Sequence, residues 1–282
     1  MSIVATWIDS LAASNKLSKG TIAVLNAISA DPERASYCNT QQLAETAGVN
    51  AATVVRAAQA IGFAGWPALS TEVRNRFLSS LDVRKHYEHA SAGRSDRAIT
   101  GMSKDAALLQ VLAETLQEDD LVRIARIIAE SRMSTVLATG SWAGPAQLLA
   151  HNSRGLGFNI AFEGGSVTTM LNAVRLLHPG DCLVAISVWK TSTAIYQMCR
   201  IAHERGVKII VIADQHSHLA DLADELLLVP SEGMGPMASA TCAVSLVQCI
   251  VTALADLDPE RSAARLEELD DLWRQTGAVM SG

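Results

Sequence analysis

The chain has 282 residues, a formal net charge of −6, 49% hydrophobic residues and 4% aromatic ones. That length suits two domains, and the aliphatic-rich composition suits a helix-rich or α/β protein with a sizeable core. No apolar run reaches the ~20 residues of a membrane helix, and the start, MSIVATWIDSLAASNK, lacks the basic segment and apolar block of a signal peptide.

Cys38, Cys182, Cys199, Cys242 and Cys249 form no CxxC or His/Cys cluster, and three of them read as small core residues. No metal or cofactor is implied, and the chain is placed in the cytoplasm. Charge is uneven: residues 16–80 carry +2 and residues 101–282 carry −8. A small positive domain on an acidic body fits one end meeting an anionic polymer.

Residues 1–80 read as helix throughout, with helical apolar spacing in TIAVLNAISA, QQLAETAGV, AATVVRAAQAIGF and WPALSTEVRNRFL. Residues 81–103 are polar with scattered Gly and Ser and read as a linker. A helix pair follows, DAALLQVLAETL and EDDLVRIARIIAES. From residue 134 short β-rich runs (STVLAT, NIAFE, CLVAIS, KIIVIA, ELLLVP) alternate with helical runs, the last of them HLADLAD with Ser217 as its cap. This alternation predicts a doubly wound five-stranded parallel sheet, with ligand sites at the carboxyl ends of its strands. Two amphipathic helices, about 238–255 and 259–275, close residues 104–282, so the fold class is α/β behind an all-α amino-terminal domain.

In QQLAETAGVNAATVVRAAQAIGF a helix ends at Gly48 and Asn50 can cap the next. Leu43, Ala47, Val49, Val54 and Ala57 are apolar where a helix-turn-helix buries its inner face. Gln41, Asn50, Ala51, Thr53 and Arg56 are then the candidate DNA contacts, as base readers or phosphate anchors. An ordinary helical hairpin with solvated polar residues has the same spacing.

The stretch LAETAGVNAATVVRAAQAIGFAGWPAL resembles the amino-terminal domain of the RpiR family of bacterial transcription regulators, most specifically at Gly62, Phe63, Gly65 and Trp66. Residues from about 120 to 255 resemble the SIS (sugar isomerase) domain that follows it in that family. The resemblance implies a homodimer or homotetramer that binds a double-stranded DNA operator, with no membrane role, and a domain that holds phosphorylated sugars. The family's third strand ends in Ser-x-Ser-Gly-x-Thr and its first in a Gly-rich turn with a Ser.

Here both turns depart. Ser187 matches the first Ser, while Trp189, Lys190 and Ser192 fall on the second Ser, the Gly and the Thr. In the first turn Gly140 is kept and Trp142 falls on the Ser. The candidate effector residues are therefore Gly140, Ser141, Trp142, Ser187, Trp189, Lys190, Thr191, Ser192 and Glu232. Three readings stay open: an altered site for a small anionic metabolite, a pocket filled by the two Trp rings, or plain surface packing. A sugar-phosphate isomerase with an appended DNA-binding head, with Glu232 and His151 as its acid/base groups, and a constitutive DNA-binding protein with a silent sensor domain are the rival functions.

Overall fold

The computed structural model describes residues 2–14, 16–91, 97–234 and 237–278. The chain divides into two compact units, residues 1–97 with 234–237, and residues 98–233 with 238–282.

The first unit is helical: α1 (Ile3–Ser14), α2 (Lys19–Ala30), α3 (Pro32–Tyr37), α4 (Thr40–Ala47), α5 (Ala51–Ala60), α6 (Trp66–Ser80) and α7 (Val83–Ser91). Side chains at the boundaries account for the succession of short helices. Ser18 accepts the Thr21 N–H at 3.1 Å, Asp31 accepts the Arg34 N–H at 3.0 Å ahead of Pro32, and Asn39 and Gln42 cap each other reciprocally. Leu43, Val54, Ala57, Trp66 and Leu69 close a common core with Val24, Leu25 and Ile28. The indole of Trp66, 2% exposed, donates to Cys38 C=O at 2.9 Å and pins α6 to the turn before α4.

Much of the expected linker, residues 81–103, is helical among the described residues, and the division between the two units falls within it. Residues 83–91 are helical, and the next helix already begins at Arg97; residues 92–96 lie outside the described residues. Two histidines turn a polar-looking sequence into a packing helix. His86 is buried, and His89 Nε2 lies 3.0 Å from Tyr37 Oη with its ring edge-on to Phe77.

The second unit contains α8 (Arg97–Thr115), α9 (Glu118–Glu130), β1 (Ser134–Ala138), α10 (Ala143–Gly155), β2 (Ile160–Glu163), α11 (Val167–Arg175), β3 (Cys182–Ile186), α12 (Thr193–Glu204), β4 (Lys208–Ala213), β5 (Glu225–Leu228), α13 (Thr241–Leu257) and α14 (Pro259–Thr276). The strands pair in parallel in the order β2-β1-β3-β4-β5. Alternate residues feed two cores, as a parallel sheet covered on both faces requires. Val136, Val184 and Ile210 meet α9, α10 and α13; Leu137, Leu183 and Ile209 meet α11 and α12.

HLADLAD, expected as a helix, gives only a single tight turn at Ala220–Leu222. Asp224 must reach back to the Ile209 N–H at 2.8 Å and to Lys208 Nζ at 2.6 Å to start β5, which leaves no length for a longer helix. At the same amino-terminal end of the sheet, Asp181 accepts from His178 N–H, Met133 N–H and Arg132. Burial pushes its carboxyl up, but these donors win and hold it below the usual carboxylate range.

Candidate functional sites

In the first unit, Gly48 closes α4 in the left-handed conformation at φ 66°. Asn50 opens α5, accepting the Thr53 N–H at 2.8 Å and its hydroxyl at 2.9 Å. Arg56 Nη2 then donates to Thr53 Oγ1 at 3.2 Å, so three predicted contact residues form one hydrogen-bonded row along the outer side of the helix start. Asn50 and Arg56 are exposed; Ala51 and Thr53 are half-buried rather than fully presented. The reason is Gly20, where a Cβ would lie 2.8 Å from Thr53 Cγ2. The beginning of α2 thus lies against the beginning of α5 and brings exposed Lys19 into that neighbourhood. Gln41 is exposed on α4 and bonded to Glu45 at 3.3 Å. Ala52 and Gln59, also exposed on α5, were not singled out in the sequence, where nothing separates them from other surface residues.

In the second unit, the chain leaves β1 for β2 on one side of the sheet and returns to β3 on the other. The gap between β1 and β3 is therefore the topological switch point, where ligands of doubly wound sheets bind. Both predicted turns lie there, beyond Ala138 and Ile186, which pair in register.

The first turn, Gly140–Trp142, is tight, with Gly140 at φ 60°. Gly140 and Ser141 are exposed, whereas Trp142 is half-buried and packs against the core shared by α9, α10 and α13. The loop after β2 joins the same rim: a Cβ on Gly164 would lie 3.0 Å from Ala138 O and 2.2 Å from Phe162 Cζ.

The second turn is different. Ser187 is buried, its N–H donating to Ile212 O at 3.0 Å. Lys190 N–H returns to Val188 O at 3.0 Å, with Trp189 at the centre of this three-residue turn at φ 69°. The left-handed residue is thus Trp189, one position before the one at which the family pattern places Gly. For a bulky L-residue this conformation costs of order 1–2 kcal/mol and needs support from its surroundings. Trp189 is half-buried and belongs to neither apolar cluster of the unit among the described residues. Lys190 is exposed, its Nζ 5.4 Å from the centre of the Trp189 ring. Thr191 Oγ1 lies 3.5 Å from Ser217 Oγ.

Ser192 begins α12 without a side-chain cap, and the first helical bond runs from Tyr196 N–H to Ser192 O at 3.0 Å. The amides ahead of Tyr196 are the donors a helix start leaves open, and they favour negative charge beside the ammonium of Lys190.

Sequence reasoning missed what holds this turn. Asp214, at the end of β4, accepts the Trp189 N–H and the Ser231 hydroxyl, the latter at 2.7 Å, while Gln215 Nε2 donates to Trp189 C=O at 3.2 Å. Burial pushes the Asp214 carboxyl up to about 6, against the bonds from Ser231 and Trp189. The available signal was an acid directly after a buried apolar strand. Glu232 is ion-paired with Lys104 Nζ at 2.5 Å. His151 is exposed on α10, nine residues beyond Trp142.

Residues 8–80 match the helix-turn-helix domain of the rpiR family. That stretch of the chain therefore carries an RpiR-family helix-turn-helix domain. The second unit has the SIS fold: the sugar isomerase domain of an RpiR transcription factor from Sphaerobacter thermophilus superposes with a TM-score of 0.59 at 24% identity, over 61% of this chain and 97% of that one. The Vibrio vulnificus NanR protein, solved in complex with ManNAc-6P, superposes over 99% of this chain and 100% of its own, at 17% identity and a TM-score of 0.58. In sequence, the Escherichia coli HTH-type regulator YfhH is 26% identical over 160 residues; the aligned part is 55% of this chain and 56% of that protein, so the match spans about half of each. The β3 turn carries Trp189 and Lys190 where the RpiR-family pattern has Ser and Gly.

Proposed function

We propose that the protein is a cytoplasmic, ligand-responsive transcription regulator that is not an enzyme. The first unit reads two-fold operator DNA through α5, with Asn50 and Arg56 foremost. The second unit takes a small anionic metabolite of the sugar-phosphate class at the switch point between β1 and β3. Two-fold operators require paired reading heads, so the active species is a homodimer or homotetramer. Ligand favours one arrangement of the paired second units, and that arrangement sets the affinity for the operator.

The observation that carries the effector half is the uncapped start of α12, flanked by Lys190, Thr191, Ser192 and Ser187 and faced by the Gly140 turn. Donors, hydroxyls and one cation converge there, and an anion satisfies all three. The sugar phosphate bound by NanR supports the ligand class. The isomerase alternative needs a proton-transfer group beside the sugar. Glu232 is already paired with Lys104, and His151 lies well along α10, about 12 Å from its start at 1.5 Å per residue.

A thermal-shift screen against phosphorylated sugars and organic acids, followed by operator binding with each hit, tests the reading, because a ligand that prefers the folded state raises apparent stability. A hit that stabilises the protein and changes operator affinity is the expected result. Turnover of any aldose or ketose phosphate would replace the sensor with the enzyme.

A further inference from the structure

The strained turn at Trp189 is tied to helix α8 through the loop after β5. Asp214 is 4% exposed and holds two partners from different loops: the Trp189 N–H after β3 and the Ser231 hydroxyl after β5. The residue after Ser231 is Glu232, whose carboxylate meets Lys104 of α8. A second pair fixes the other end of the same loop to the same helix. Ser239 N–H donates to Ser231 O at 2.8 Å, Ser239 Oγ donates to Thr241 Oγ1 at 3.1 Å, and Thr241 Oγ1 donates to Asp105 Oδ2 at 2.7 Å. The loop after β5 thus has one anchor at Asp214 and two on α8, the helix on which the chain enters this unit.

We propose that Asp214 is the positioning residue of the anion cradle, and that the series Asp214–Ser231–Glu232–Lys104 carries the state of the cradle to α8. The proposal rests on the reading of residues 187–192 as the effector site.

The bistable element is the Trp189 backbone. In the left-handed conformation its N–H faces Asp214 and its C=O faces Gln215. Relaxed to negative φ, it withdraws both groups and moves Lys190 and Thr191 with it. An anion drawn to the start of α12 acts on this choice because it contacts the residues that the turn carries. When Trp189 withdraws, a buried carboxylate loses a donor, a costly state. The carboxylate and the Ser231 hydroxyl must then rearrange, and the chain from Ser231 to Glu232 is only one residue long. The Glu232–Lys104 pair is the next contact to move, and with it α8. A coupled pair of sites requires such a two-state element between them.

Amide hydrogen exchange of the full-length protein tests this, read separately in peptides covering 187–192 and 99–110. Ser231→Ala and Lys104→Met alter residues outside the cradle. Without ligand, both variants are expected to speed exchange in 187–192 about fivefold, the effect of loosening one hydrogen bond. Exchange equal to wild type in both variants overturns the positioning series. With ManNAc-6P, and separately inorganic phosphate, as the probe, wild type is expected to slow exchange in 187–192 and to shift it in 99–110. In Ser231→Ala the first effect stays and the second vanishes. If Ser231→Ala keeps both effects, the relay to α8 is overturned. If neither probe protects 187–192 in wild type, the effector reading fails for those ligands, and the ligand-free comparison still decides the role of Asp214 and its partners.

Discussion

Replacing Asp214 by Asn removes an ionisable group from a wholly buried position at almost constant shape. Burial pushes its carboxyl from 3.8 up to about 6 in the folded protein, against the Ser231 hydroxyl and the Trp189 N–H, which favour the charged form. The native state therefore binds this proton more tightly than the unfolded chain does. The favourable contribution is complete below 3.8 and is lost as pH rises through about 6. The gap between those two values corresponds to about 3 kcal/mol. Asn carries no such cost at any pH, so the stability of Asp214→Asn minus that of wild type should climb by about 3 kcal/mol between about pH 4 and about pH 7. Taking the difference cancels Asp181 and Asp224, both held low by their donors in either protein. The assay is urea unfolding at a series of pH values, followed by exchange protection of β3 and β4 so that the second unit is read by itself. The absolute offset at low pH then measures the hydrogen bonds that Asn fails to copy. A difference that is flat within about 0.5 kcal/mol, or that falls with rising pH, would refute the desolvated carboxylate.

Arg56→Ala should weaken operator binding by about tenfold at moderate salt and make the salt dependence shallower, with thermal stability unchanged, as fluorescence anisotropy and a melting curve can show. Lys190→Ala should reduce affinity for phosphorylated ligands about tenfold in calorimetry while leaving operator binding without ligand intact. Trp189→Gly removes a left-handed aromatic residue and also its half-buried ring, two opposing effects of ~1 kcal/mol each, so net stability should move by less than about 1 kcal/mol while inorganic phosphate gains affinity. A loss above about 2 kcal/mol would make the ring a core element instead.

The five strands, their parallel order and the switch point were legible because buried parallel strands read as continuous aliphatic runs, and CLVAI and KIIVIA do so without ambiguity. The helix-turn-helix was legible through local chemistry: Gly48 at a left-handed position, Asn50 as a cap, Leu43 and Val54 inside. Residues 83–91 were not, because their packing face is built from His86 and His89, which sequence patterning counts as polar. Within the candidate effector site the turns were placed correctly but their supports were not. A bond from Asp214 to a backbone amide 25 positions earlier leaves no periodic trace. The split between the two Trp residues was also hidden, since only the fold decides that Trp142 packs against an apolar cluster and Trp189 against neither of the unit's clusters among the described residues.

The two ends of the sheet treat buried acids in opposite ways, and the contrast fits an anion site at one of them. At the amino ends Asp181 and Asp224 each have a cationic partner, Arg132 and Lys208, along with backbone donors, and both stay ionised well into acid. At the carboxyl ends Asp214 is held by a hydroxyl and by backbone N–H groups, and burial brings its carboxyl close to neutral conditions. Three acids placed alike would repel a phosphate from both ends. Instead, the two buried acids held low by cationic partners lie at the end away from the switch point. The other end carries the open amides of α12, the ammonium of Lys190 and an acid easily neutralised. A negatively charged ligand arriving there raises the proton affinity of Asp214 further, since like charges disfavour ionisation. Ligand uptake should then be accompanied by proton uptake between about pH 5 and about pH 7. A phosphate-binding turn built only from Gly and Ser would show only the titration of the phosphate itself, so the uptake that belongs to Asp214 is the part lost in Asp214→Asn. The Trp189 turn, held in its strained form by a titrating acid, has that uptake built in.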